Sequence, residues 1–511
     1  MILTWLILIP LIGGFLCWVG ERFSRVLPRW IAFFSMLLLL ILTVMIWLQG
    51  DYHLITKLAG LPQWTVEYRL PWFPDLGASF HLGLDGLSLL LIALTGFLGT
   101  LAVACSWSEV QEHVGFFHLN LLWIIAGVVG VFLALDMLLF FFFWEMMLVP
   151  MFFLIALWGH NVPGGRGRIY AATKFFIYTQ ASGLLMLLSI ITMALIYAQI
   201  HHHLSFDYHD LLGLSNNLNP KLEWVLMLGF VIAFSVKLPV VPLHAWLPDA
   251  HSQAPTAGSV DLAGILLKTA AYGFLRFALP LFPNASHQFA PIAMWLGVLG
   301  IFYGAVLAYR QSDIKRLIAY TSVSHMGFVL IGIYSFNALA TQGVVMQMLA
   351  HGISAAALFI LSGQIYERMH TRNLDLMGGL WTRIRSLPPM ALFFAAASVG
   401  LPGLGNFVGE FLILMGTYTV NHLVTVVASG GMIVAAIYTL MMMQRAFFGP
   451  VQSEEVLPAL NRREFMMMMS LVVVMVWLGV YPQPILNTSA AALDTLHHLM
   501  MTVLPSTTVL R

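Results

Sequence analysis

FSVKLPVVPLHAWLPDA, residues 234–250, continues a strongly apolar run from Trp224 to Phe234 and then sets a lysine, Lys237, where a membrane span should be driest. Three prolines, Pro239, Pro242 and Pro248, come directly after it. Proline removes a backbone donor and clashes with the preceding turn, so a helix here breaks beside its own charge. Irregular backbone at membrane depth is tolerated only where protein or water satisfies it. A charge and a break in one place therefore point inward, to a polar route through a membrane protein.

The rest of the chain supplies that membrane setting. It is 60% hydrophobic and 9% charged, against roughly 25% charged in soluble domains, which makes it an integral membrane protein. Its two cysteines, Cys17 and Cys105, lie in separate apolar runs and exclude a cysteine-ligated iron–sulfur or zinc site within this chain. A net charge of +1 gives no footing for nucleic acid. With about 20 apolar residues per crossing, fourteen segments qualify, near 2–20, 30–48, 84–106, 116–134, 137–158, 174–199, 222–240, 257–280, 289–309, 314–335, 342–365, 388–417, 422–444 and 465–485. The expected fold is an all-α polytopic membrane protein.

Orientation follows from the excess of Lys and Arg in cytoplasmic loops. With the N-terminus outside, sixteen of the 23 basic residues, among them Arg22, Arg166, Lys174, Arg316 and Arg463, fall on the cytoplasmic side. Lys57, Arg69, Lys221 and Arg511 stay outside, and Lys237, Lys268 and Arg276 lie within spans. Both termini are expected outside. The first span has no basic residue before it, which favours an uncleaved anchor over a signal peptide.

One repeat stands out. AFSVKLP at 233–239 returns as AASVGLP at 396–402, identical at five of seven positions. The copies fall in the seventh and twelfth spans, five crossings apart, so they run in opposite directions. Both are interrupted, the first by Pro239, Pro242 and Pro248, the second by Gly400, Pro402, Gly403, Gly405 and Gly409. Paired broken helices in inverted repeats point to a transport pathway. The chain then divides into N-terminal spans with an outer loop (1–115), a first five-helix repeat (116–280), a second, inverted one (289–449), and a last span with an outer tail (450–511).

A charge at the centre of a membrane helix costs about 2.5 to 3.5 kcal/mol on insertion scales and usually does something. Six such groups occur: Glu145 in FFFWEMMLVP, Lys237, Lys268 in AGILLKTAAYG, His325 in YTSVSHMGFV, His351 in QMLAHGISAA and Glu410 in NFVGEFLILMG. Each has a plainer reading. Glu145 and Lys237 form a static ion pair, or the histidines are hydrogen-bonded core residues or haem ligands. Asp136 reads as a helix-start residue, Arg276 as an anchor near the outer end of its span, and His201, His202, His203 and His209 as a weak metal candidate in an outer loop. As a row, however, carboxylate, lysine, lysine, histidine and carboxylate on successive interior helices have the chemistry of a switched proton wire, because a buried lysine gains or loses its proton as a carboxylate approaches or withdraws.

KLPVVPLHAWLPDAHSQAPTAGSVDLAGILLKTAAYG (237–273), FFFWEMMLVP and IKRLIAYTSVSHMGFV resemble the antiporter-like membrane subunits of respiratory complex I, which are related to subunits of multisubunit cation/proton antiporters. The likeness spans essentially the whole chain. Within that family the short tail and Glu410, where the L and N types tend to carry lysine, are similar to the M type. The resemblance implies that Glu145 and Lys237 are the pair of a first half-channel, with His244 as supporting polar group. It also implies that Lys268, His325 and His351 connect centrally and that Glu410 is the exit residue, with Pro239, Pro242 and Pro402 at the helix breaks. It further implies no cofactor in this chain, flavin, iron–sulfur clusters and quinone in partner subunits, L-type and N-type neighbours, lipid contacts, and a bacterial inner membrane. The competing assignment is a cation/proton antiporter or membrane-bound hydrogenase subunit, in which the same wire would read alike.

Overall fold

A computed structural model describes residues 1–52, 64–160, 167–215, 218–451 and 456–501; Lys57, Arg166 and Arg511, used above for orientation, lie outside them. Twelve helices among the described residues are long and apolar enough to cross a membrane. Two further segments are split, Pro220–Lys237 with Leu247–Gln253 and Leu387–Val399 with Gly405–Tyr418. In chain order these split segments take the seventh and twelfth places, and the spans are numbered accordingly.

Burial sorts the helices into layers. The eighth span, Thr256–Leu281, and the eleventh, Ala338–Met369, are buried throughout their apolar stretch, and the tenth, Ile314–Tyr334, nearly so. The first two, Ile2–Gly20 and Leu27–Gln49, are peripheral and expose Trp5, Phe15, Trp18 and Phe34. Lipid is as apolar as these side chains, so nothing drives them inward. The central helices, by contrast, hold the ionisable groups, which only a protein interior can partner.

Two features depart from the expected arrangement, a short hairpin and a helix in the tail. Val66–Phe73 (β1) and Ala78–Leu84 (β2) form an antiparallel hairpin in which Arg69 lies opposite His81. Its strand signal is the alternation in SFHLGL and the turn at Gly77, whose φ of +68° suits glycine. The tail carries a helix, Gln483–Met501, which buries Ile485, Leu493, Leu496 and Met500 and packs on the third (Gly86–Glu109) and eleventh spans. It is too polar to read as a crossing, which hid it in the sequence.

The hairpin is tied to the helical body by Asp136. Its carboxylate accepts from Leu138 and Leu139 N–H at 2.9 and 3.1 Å, capping the fifth span, Met137–Trp158, and from Ser79 N–H at 2.7 Å on β2. Asp136 is thus the helix-start residue its position suggested. Beside it, His81 Nδ1 pairs with Asp207 Oδ2 at 2.7 Å and His81 Nε2 with Glu67 Oε1 at 2.6 Å.

Candidate proton-transfer site

The first break begins where Pro220–Lys237 ends. Helix ends leave carbonyls without intrahelical donors, and here the Trp246 indole N–H donates to Val236 O at 2.8 Å while Val240 N–H donates to Ser235 O at 2.9 Å. The chain can therefore leave helical geometry at Pro239 without orphaning its backbone. Pro242 and His244 line a cavity of about 700 Å³ together with Lys174, Asp249, Tyr303 and Arg316. Asp249 holds that wall together, accepting from Lys174 at 2.7 Å and Arg316 at 2.8 Å.

Lys237 is the last residue of the first half-helix and is buried. Its Nζ lies 3.6 Å from the centroid of the Trp144 ring. Cation–π contacts strengthen when desolvated, so this is a defined seat for the ammonium. Glu145 is the next residue after Trp144 and is half-buried. No ion pair joins Glu145 to Lys237 within 4.0 Å among the described residues, so the static salt bridge weighed from the sequence is not the arrangement present. Glu145 instead leans on the sixth span, Arg168–His201: a Cβ at Gly183 would stand 2.2 Å from Glu145 Oε1.

The remaining four groups are contiguous. Lys268 Nζ is 2.8 Å from His351 Nδ1 and also donates to Ala263 O, which lies in a π-helical segment, Leu262–Leu266, of the eighth span. Such segments displace backbone carbonyls from the regular ladder and are frequent at functional sites. The His351 and His325 rings are 5.5 Å apart between centroids. His325 Nδ1 meets Glu410 Oε1 at 2.7 Å, and His325 Nε2 meets Ser398 Oγ at 3.2 Å. Gln347 Nε2 donates to the same Glu410 oxygen at 2.9 Å. All four are buried.

The second break is built by glycine. Gly400 and Gly403 have φ of +80° and +92°. Leu401 N–H donates to Ala396 O and Gly400 N–H to Ala397 O, both at 3.1 Å, the left-handed helix stop that glycine closes without Cβ strain. Pro402 lies within this break, and a Cβ on Gly400 would stand 3.4 Å from Glu410 Oε2. Each break thus sits beside a titratable group, Lys237 at the first and Glu410 at the second.

Sequence reasoning missed several neighbours. Trp144, Gln347 and Ser398 are ordinary span residues until their contacts are seen. Asp261, in GSVDLAG, is a buried carboxylate whose oxygens make no hydrogen bond among the described residues; the count of charges within spans should have included it. His251, in DAHSQAP, is buried and stacks on Phe359 with ring centroids 4.5 Å apart. Arg276 is not an interfacial anchor. It is fully buried and paired with Asp85, because the third span starts with an aspartate directly facing it.

Residues 134–437 match the family described as NADH:quinone oxidoreductase/Mrp antiporter, transmembrane. The chain is 63% identical to NADH-quinone oxidoreductase subunit M of Pseudomonas aeruginosa over 494 residues, covering 96% of this chain and 97% of that protein. It is 61% identical to the Escherichia coli K12 protein of the same name over 499 residues, covering 97% of each. Among solved structures, a chain of respiratory complex I from Thermus thermophilus with bound NADH superposes with a TM-score of 0.85 at 29% identity, covering 97% of this chain and all of that one.

Proposed function

The chain belongs to the subunit M family of NADH-quinone oxidoreductase, and on that footing we propose that it carries protons across the membrane through Glu145, Lys237, Lys268, His351, His325 and Glu410 while electron transfer proceeds in other subunits. The observation that carries this reading is the run from Lys268 to Glu410, hydrogen-bonded at both ends and spanned in the middle by the two imidazoles, whose centroids are 5.5 Å apart. Each link can both accept and donate a proton once Lys268 is neutral, since imidazole offers one donor and one acceptor nitrogen.

Lys237 stands apart from that run and is the switched element. Seated over Trp144, its ammonium has a π face for a partner; moved toward Glu145 it has a carboxylate, and the difference decides whether it keeps its proton. The cavity lined by Pro242 and His244 supports water access at the first break, on the side the basic residues assign to the cytoplasm. Glu410 beside the Gly400 break would release toward the opposite side. The two breaks belong to five-helix units, 116–280 and 289–449, run in opposite senses. L-type and N-type neighbours, quinone, flavin and iron–sulfur clusters lie in the partner subunits, and the enclosing membrane is the bacterial inner membrane.

Lys268 gives the test. Lys268→Ala should leave the complex assembled and lose most of its proton pumping. Lys268→Arg should do no better, because a guanidinium does not deprotonate in proteins. Pumping measured on membranes with equal amounts of assembled complex separates relay from structure, and wild-type pumping by the Arg variant would sink the relay.

A further inference from the structure

The eighth span carries a second set of buried polar groups on the hairpin side of Lys268. Lys268, Tyr272 and Arg276 recur every four residues and so share one stripe, about 12 Å long at 1.5 Å per residue. Arg276 lies in a second π-helical segment, Phe274–Ala278, and pairs with Asp85 at the start of the third span. Its guanidinium is 4.8 Å from the Trp64 ring centroid and 5.5 Å from that of Tyr272, and its backbone carbonyl accepts from Tyr208 Oη at 2.6 Å. Above the pair is a cavity of about 50 Å³ lined by Asp51, Tyr52, Trp64, Asp85, Thr488 and Thr495. Asp85 lines that cavity and Arg276 lies behind it.

We propose that the Arg276–Asp85 pair is the proton barrier on the hairpin side of the Lys268 relay. A proton can hop along a polar route only where each member has a lone pair to receive it, and a guanidinium has five donors and no acceptor. A proton arriving in the cavity meets Asp85 in its ion pair, and the next group inward, the guanidinium, has no lone pair to take it on. Tyr272 lies between Lys268 and Arg276 on the stripe; its hydroxyl donates to Phe132 O at 3.1 Å and stands 3.3 Å from Ser88 Oγ. Fixed positive charge excludes protons from other narrow polar pores in the same way. A relay that hands its proton from Lys268 to His351 requires this seal, because a lysine open to the energised side would return protons as fast as they were moved. Asp85 makes the buried arginine tolerable, as an unpaired buried charge is strongly destabilising.

This inference rests on Lys268 as a relay, and the two can be separated. In proteoliposomes holding the intact complex, without NADH, an acid jump on the hairpin side and an internal pH dye report passive proton entry. Asp85→Asn with Arg276→Gln removes the fixed guanidinium charge and the volume it fills, opening the stripe to water that can carry a proton, and should raise the leak several-fold. Asp85→Asn with Arg276→Asn is the smaller second pair and should leak as well. Wild-type leak in an assembled neutral pair overturns the barrier. Adding Lys268→Met to a leaky pair should close it; a leak that persists keeps the barrier but removes Lys268 from the route.

Discussion

At the scale of single residues, the site depends on space as much as on charge. Glu145 occupies room that exists because position 183 lacks a side chain. Gly183→Ala should push the carboxylate off the sixth span and change its distance from Lys237. The expected result is an assembled complex with reduced pumping, and a second-site change to Asp at 145, shorter by one methylene, should restore part of it. Full pumping by the alanine variant would mean that Glu145 needs no fixed position. The charged members of the row were legible in the sequence because charge within an apolar run is conspicuous. Trp144 and Gly183 were not, since tryptophan is common in such spans and a glycine's role depends on what approaches it from another helix. Arg276 was misassigned because distance from a span's end says nothing about what the neighbouring helices place there.

At the scale of elements, the two breaks look alike in sequence and differ in construction. The first carries proline at 239 and 242 and is supported by the Trp246 indole; the second turns on Gly400 and Gly403. Pro402→Ala should therefore be mild, whereas Gly400→Ala forces a left-handed alanine at about 1–2 kcal/mol and moves a Cβ toward Glu410. Assembly and pumping measured together should show a clear loss for Gly400→Ala and near-normal values for Pro402→Ala; equal effects would contradict a glycine-built break. The hairpin offers a pH-dependent case. Burial opposes the imidazolium of His81, but Asp207 and Glu67 outweigh it and raise its pKa above that of a free histidine. Burial likewise opposes ionised Asp207, yet His81 and Arg69 hold its carboxyl below the usual aspartate range. The raised group stabilises fully below about 6.5, the unperturbed histidine value, and that contribution is lost as pH rises through the higher folded value. The lowered group stabilises above its unfolded value and fails only on strong acidification. Hydrogen exchange at residues 66–84, corrected for intrinsic rates, should be slower near pH 6 than near pH 9, and His81→Gln should flatten the difference.

At the scale of the whole molecule, the layering was readable and the axis only in part. Apolar runs of span length predicted every long apolar helix, with ends displaced by up to six residues, because lipid imposes length and composition together. That the eighth, tenth and eleventh spans form the interior was partly legible, since they carry Lys268, His325 and His351 and the eighth and tenth are less apolar than the two peripheral spans. The hairpin and the Gln483–Met501 helix escaped because neither carries an apolar run of span length. The interior that results has one optical property. Of the 15 tryptophans in the chain, Trp144 is the one whose ring lies under the Lys237 ammonium, and an indole's absorption shifts with the field of a charge held against its face. The working cycle should therefore write itself into the near-ultraviolet spectrum: a difference signal during NADH-driven turnover, absent in Trp144→Phe and frozen in Glu145→Gln, would time the departure of the lysine from its seat without any added label.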